Sequence, residues 1–302
     1  MKKVIVTGAS SMLGLATINA CLKQDIQVIA IARKNSKRSY KIPQCDEVTF
    51  LEADLKDLAS LSLGCTDCDA FFHFGWGHTD KEGRMNVALQ NENIQYCLDA
   101  VKLAHRSGCK VFLGAGSQAE YGIVADEIFP DTPANPVVAY GVAKYQAGVQ
   151  SMSLCEELGM ICIWTRIFSV YGVNDGEDTM VKSAVAYFLK KETMHFSSGM
   201  QMWNYLFEED AAEIFIELCE KVKESGIYHI AGQESKPLRE YIYEMAQAFG
   251  DGFYYDLATF DPASRVVSIR PNVDKTYNAI KYRPRVSFAE GVRRILEHDR
   301  EI

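Results

Sequence analysis

A short β-branched run, residues 3–7, breaks at once into Gly8-Ala9-Ser10-Ser11-Met12-Leu13-Gly14, after which the pattern turns helical. A strand that must become a helix across so short a turn leaves few folds open. Gly8 permits the tight turn and Gly14 lets the helix pack closely on the strand. The new helix offers free N–H groups at its N-terminus, a setting that favours a pyrophosphate. The candidate cofactor contacts here are Gly8, Ser10, Ser11, Met12, Leu13 and Gly14. Ser11 stands where a further glycine is usual; it is small, and its hydroxyl can itself bond a phosphate.

The alternation continues. Strands are predicted at 27–31, 48–51, 70–74, 110–113 and 161–167, and helices at 14–23, 85–106 and 140–158. Continuous apolar strands separated by helices predict a parallel sheet covered on both faces. After Gly172 the rhythm changes: helices are predicted at 178–191, 209–223, 237–249 and 288–297, with a seventh core strand at 227–230. The expected fold is α/β, a doubly wound Rossmann-type parallel sheet of about seven strands with a smaller mixed α/β C-terminal substrate domain. The dinucleotide domain is expected over 1–173, its core also receiving 204–231, and 174–302 is expected to be mostly substrate-binding and interleaved with it.

The chain has 302 residues, 48% hydrophobic and 24% charged, enough for a large core in one or two domains. A net charge of -8 and a pI near 5.4 argue against nucleic acid as a partner. The first apolar run is too short for a signal peptide, and no run approaches the ~18 residues of a membrane span, so a cytoplasmic protein without a membrane partner is expected. Of nine cysteines, only Cys65 and Cys68 make a C-x-x-C pair. No second pair or histidines follow at ligand spacing, so reduced thiols in a loop are expected, with a redox role as the alternative and no metal.

The second strand runs into Ala32-Arg33-Lys34-Asn35-Ser36-Lys37-Arg38. A cofactor with a free ribose 2′-OH usually meets an Asp or Glu at this point. Arg33 suits a 2′-phosphate instead, which favours NADP(H), with NAD(H) as the alternative. Asp54 and Leu55, after the third strand, are placed to approach the adenine ring.

Tyr140 and Lys144 are i and i+4 and project from one helix face. A phenol titrates near ~10, and a neighbouring ammonium is expected to pull it towards the working range. Ser117 is expected at a strand end, able to bond the same substrate oxygen. Together these suit carbonyl/alcohol interconversion, with hydride moved by the nicotinamide and the proton by Tyr140.

Over nearly its whole length the chain resembles the extended short-chain dehydrogenase/reductase family of nucleotide-sugar epimerases, dehydratases and reductases. Residues 7–14 are similar to T-G-x-x-G-x-x-G, and Tyr140-Gly141-Val142-Ala143-Lys144 to Y-x-x-x-K. Phe72-His73-Phe74-Gly75 resembles a cofactor-lining strand end, Ser117 before Tyr121-Gly122 the active-site Ser/Thr segment, and residues 166–172 R-x-x-N-V-Y-G. The resemblance implies that Ser117, Tyr140 and Lys144 are catalytic and that Phe74, Gly75, Trp76, Ile167, Tyr140 and Lys144 line the cofactor. It implies a nucleotide-sugar substrate and, with two long helices available, a homodimer through a four-helix contact.

Family 4,6-dehydratases resemble T-D-E-V-Y-G where this chain has Ser117-Gln118-Ala119-Glu120-Tyr121-Gly122. Gln118 and Ala119 do not titrate, and Glu120 is offset by one residue onto the other face of an extended segment, where a structural role is expected. Elimination of water therefore lacks its acid/base pair. A reductase of a nucleotide-linked 4-keto sugar is favoured by Arg33. A 4-epimerase with tightly bound NAD, a reductase of a small free carbonyl compound and a non-catalytic NAD(P)-binding regulator are the alternatives. Candidate substrate contacts are His78, Thr79, Ser117, Gln118, Thr179, Lys182 and Trp203, with Arg265 and Arg270 for a diphosphate.

Overall fold

The computed structural model describes residues 1–259 and 267–301; Arg265 lies outside them. The first part of the chain supplies strands β1 (Lys3–Thr7), β2 (Gln27–Ala32), β3 (Val48–Glu52), β4 (Ala70–His73), β5 (Val111–Ser117) and β6 (Ile161–Ile167), with helices α1 (Met12–Leu22), α2 (Val87–Arg106) and α3 (Ala139–Glu157). There follow β7 (Ser169–Tyr171), α4 (Met180–Lys190), β8 (Thr193–Phe196), β9 (Met202–Trp203), β10 (Tyr205–Phe207), α5 (Glu208–Lys221) and β11 (Gly226–Ile230). The chain ends with β12 (Lys236–Pro237), α6 (Leu238–Phe249), β13 (Tyr254–Leu257), α7 (Asp274–Ala279) and α8 (Phe288–Glu301).

Seven strands form one parallel sheet in the order β3-β2-β1-β4-β5-β6-β11. The order reverses between β1 and β4, which opens a crevice at their carboxyl ends. Both faces are covered, as the unbroken apolar strands require. Val4 and Val6 face a cluster with Leu15 and Ile18 of α1 and Phe215 of α5, while Ile5 faces the opposite cluster with Val101 of α2 and Ala147 of α3. A third cluster joins Val185 of α4, Ile242 and Met245 of α6, and Val292 and Ile295 of α8. It includes Tyr171 and Phe207 from the small parallel pair β7–β10. No helix among the described residues is long and apolar enough to cross a membrane.

Several boundaries differ from the sequence reading, each for a local reason. Helix α1 starts at Met12, because Ser11 is its N-cap and accepts a bond from Gly14 N–H at 3.1 Å. Helix α2 starts at Val87, because Gly83–Met85 is a separate 3-10 turn and Asn86 caps the helix. Strand β5 runs on through Gly114-Ala115-Gly116 to Ser117. Those glycines read as a break, yet a Cβ on Gly114 would overlap the Trp164 ring on β6, so the strand is glycine-rich to admit that indole.

Candidate active site

The phosphate loop is built by close approach. Gly8 has φ +67°, and a Cβ there would come within 2.7 Å of Gly75 N. A Cβ on Gly14 would overlap the Gly8 carbonyl. Ser11 needs no such freedom: it is extended, with φ -78°, and its N–H donates to Gly8 O at 2.8 Å. Met12 and Leu13, in the first helical turn, have N–H groups with no partner inside the helix. The loop therefore fits a dinucleotide pyrophosphate, with donors and a helix dipole facing one place.

Around this loop, Ser10 and Ser36 hydroxyls lie 2.9 Å apart and tie it to the segment after β2. Ala32 is buried and Arg33 is exposed at the strand end. No carboxylate stands at that strand end itself; Asp54, from across the sheet edge, accepts a bond from Lys34 N–H at 3.3 Å. Leu55 packs against Gly75, where an added Cβ would meet its Cδ2 at 2.6 Å. Arg38 is turned away and donates to the carbonyls of Asn174 and Asp175.

The segment after β4 is held by α2. Buried Gln90 accepts from Trp76 Nε1 at 2.9 Å and donates to the carbonyls of His78 and Gly83. Asn93 accepts from Gly77 N–H at 2.6 Å. Phe74 is buried in the first-face cluster, and His73 is buried beside it on the strand. Burial pushes the His73 imidazole down to about 3, so it is neutral; its Nδ1 lies 2.7 Å from Thr7 Oγ1 and its Nε2 has no protein partner. His78, in a left-handed conformation, and Thr79 are exposed.

Ser117, Tyr140 and Lys144 come together at the crevice. Lys144 is buried at the end of β5, donating to Ala115 O at 2.6 Å with its ammonium 3.6 Å over the Trp76 ring. Burial pushes it down to about 7. Tyr140 lies edge-on to Trp76, with the Ser117 turn beside it. The expectation that Lys144 depresses the phenol is corrected: burial holds Tyr140 above its usual value, and the opposing charge is Arg84. The Arg84 guanidinium lies 4.7 Å over the Tyr140 ring, against 5.7 Å for the Lys144 ammonium. Sequence reasoning missed Arg84, which arrives on the 3-10 turn that Gln90 pins.

Glu120 is fully buried. It accepts from Ser117 N–H at 2.8 Å, Trp164 Nε1 at 3.1 Å and Arg166 Nε at 2.7 Å. Its carboxylate thus anchors the Ser117 turn to β6 and faces away from reaction chemistry. Gln118 has a buried Oε1 with no protein partner. Ile167 pairs with Ser117 across the sheet.

The remaining substrate candidates divide. Lys182 is buried and bound to Asp299 of α8 at 2.6 Å. Thr179 Oγ1 donates to Gly176 O at 2.9 Å. Trp203 packs against Tyr205, with its Nε1 buried and unpartnered. Its neighbour Asn204 is a buried latch, accepting from Gly232 N–H at 2.6 Å and donating to Glu234 O at 2.9 Å. Arg270 is exposed on the segment that pairs Pro271 with Ile128.

Comparison with known proteins agrees with this architecture. Human dTDP-D-glucose 4,6-dehydratase is 22% identical over 99% of this chain and 90% of its own. A UDP-N-acetylglucosamine 4-epimerase from Methanobrevibacter ruminantium superposes with a TM-score of 0.86 at 18% identity, covering 99% of this chain and 98% of its own. The UDP-glucuronic acid 4-epimerase of Bacillus cereus, in complex with NAD, superposes at 0.82 and 18% identity over 99% and 96% of the two chains. A model of the NAD-dependent epimerase/dehydratase family matches residues 4–231, and with the phosphate loop, the crevice and the Tyr-Lys pair on one parallel sheet, the chain belongs to that family.

Proposed function

We propose that this chain is an NAD(P)-dependent enzyme that reduces a nucleotide-linked 4-keto sugar. The observation that carries the reading is the meeting of Ser117, Tyr140 and Lys144 beside a phosphate loop, with Gln118 and Ala119 where elimination would need an acid and a base. The nicotinamide supplies the hydride when bound. Ser117 and Tyr140 orient the sugar oxygen, Tyr140 gives it the proton, and Lys144 holds the end of β5 through Ala115 O while lending charge to the pocket. A neutral His73 keeps the floor of the cofactor site uncharged. Cofactor contacts are assigned to Gly8, Ser10–Gly14, Asp54, Leu55, Phe74–Trp76 and Ile167, and sugar contacts to His78, Thr79, Gln118, Thr179, Trp203 and Arg270. In this reading 1–173 with 204–231 holds the dinucleotide and 174–302 most of the sugar nucleotide.

The missing carboxylate after β2 and the exposed Arg33 favour NADP(H). A 4-epimerase with retained NAD is the second reading, favoured by the solved neighbours that carry that name and that cofactor. One measurement separates them. Purified protein should take up NADPH, oxidise it on addition of a 4-keto sugar nucleotide and lose its preference for NADPH in Arg33→Asp. NAD released from the denatured protein, with sugar epimers interconverting in the absence of added cofactor, would establish the epimerase instead. Binding of neither dinucleotide would sink both.

A further inference from the structure

The fold brings together three thiols at the end of the sheet opposite the crevice. Cys65 and Cys68 lie in the loop before β4, and Cys109 lies just before β5. The two segments run in close register: Cys68 N–H donates to Ser107 O at 3.1 Å and Lys110 N–H to Asp69 O at 3.0 Å. A Cβ on Gly108 would overlap the Thr66 carbonyl, so its φ of +85° lets the segments touch. The Cys65 and Cys68 sulfurs are 3.6 Å apart, and the backbone pairing of the two segments sets buried Cys109 beside Cys68. Asp67 places a carboxylate oxygen within 4.8 Å of both Cys65 and Cys68 sulfurs. Cys68 and Cys109 are each 2% exposed, while Cys65 is half-buried and Asp67 is at the surface.

The spacing suits a metal better than a bridge. Two thiolates bound to a tetrahedral zinc at about 2.3 Å each stand about 3.8 Å apart, whereas a disulfide needs about 2.05 Å. All three thiols are free. Thiolates with one carboxylate favour a soft or borderline divalent cation over a hard one. Lys3, whose ammonium bonds Asp67 at 2.7 Å, sits beside the cluster and offsets part of its negative charge. The sequence shows one C-x-x-C and no second pair, and the fold supplies the further sulfur from a distant segment.

We propose that Cys65, Cys68 and Asp67, whose ligand atoms already lie within 4.8 Å of one another, bind one divalent cation of the zinc class, with the neighbouring Cys109 thiol turning in as the fourth ligand. The ion clamps the loop before β4 to the start of β5 and is structural, since the cluster is closed on its buried side and lies away from the crevice. Binding displaces protons from the thiols, so affinity rises with pH.

The test uses the full-length protein. Protein purified under reducing conditions without chelator is expected to carry about one equivalent of zinc, and the metal-free form to bind Co2+ with sulfur-to-cobalt charge-transfer and tetrahedral visible bands that Zn2+ abolishes. Cys65→Ser and Cys109→Ser should each weaken Co2+ binding about tenfold or more. Cys45→Ser, which alters an exposed thiol outside the cluster, should leave it unchanged. Protein that neither retains zinc nor shows those bands overturns the proposal, as does recovery of Cys65 and Cys68 as a disulfide, or binding lost in Cys45→Ser. The wild-type titration decides even where a variant folds poorly.

Discussion

Among the described residues, Arg84 is the cation closest over the Tyr140 ring, and its effect on the proposed proton step has a definite sign. A guanidinium favours the phenolate, so it lowers the pH at which Tyr140 loses its proton, against the upward push of burial. Arg84→Gln should therefore move that ionisation to higher pH, and Arg84→Lys should restore most of the shift. The measurement is tyrosinate absorbance against pH, referenced to Tyr140→Phe, alongside the alkaline limb of turnover. Because Arg84 is exposed, raising salt in the wild type should shift the ionisation part of the way towards Arg84→Gln. An unmoved ionisation would deny Arg84 this role. That Tyr140, Lys144 and Ser117 would meet at one crevice was legible in the sequence, because a fixed spacing and a strand end carry them. Arg84 was not, because its placement depends on buried Gln90 holding the Gly83 carbonyl, a contact between separate elements.

At the scale of elements, β5 and β6 are matched as a pair. Trp164, 1% exposed, fills the space that Gly114 and Gly116 leave open, and its Nε1 bonds Glu120. Glu120 in turn pairs with buried Arg166 and caps the turn that carries Ser117. Ser117 is thus placed by an indole and an ion pair, not by its own strand alone. Gly114→Ala should cost about 1–3 kcal/mol in denaturant unfolding, because the added methyl must displace the ring. Trp164→Leu, destabilising by itself, should relieve that cost in the double variant, giving a favourable coupling. Additive losses would mean that the ring is not what excludes the methyl. Local propensity pointed the other way here: glycines argue against a strand, so the predicted β5 stopped at residue 113. Helix starts slipped for a similar reason, since Ser11 and Asn86 act as caps that only the backbone around them reveals.

Across the whole molecule, the apolar periodicity of the first part and the run at 227–230 were enough to anticipate a seven-stranded parallel sheet. The later small strands were not, because pieces of two to four residues carry too little alternation, and they are stabilised by the third apolar cluster instead. What that sheet leaves outside bears on assembly. Helices α2 and α3 pack on each other over one face, and α3 keeps an apolar stripe on its outer side. Val142, Tyr145 and Val149 are 37%, 39% and 46% exposed and follow one another at three and four residues, one face of a helix. A second copy related by a two-fold axis would lay the same stripe against its own, with α2 and α3 of each chain making four helices. Val149→Asp places a carboxylate in that contact twice, facing its own image without a partner. The wild type should scatter light as a dimer, and the variant should dissociate about tenfold to a thousandfold more readily, on the order of 1.4–4 kcal/mol. Circular dichroism and dinucleotide binding should be unchanged, since Val149 touches neither the sheet core nor the phosphate loop. A wild type that scatters only as a monomer at working concentration would leave the stripe without this use, and the four-helix assembly would have to be abandoned.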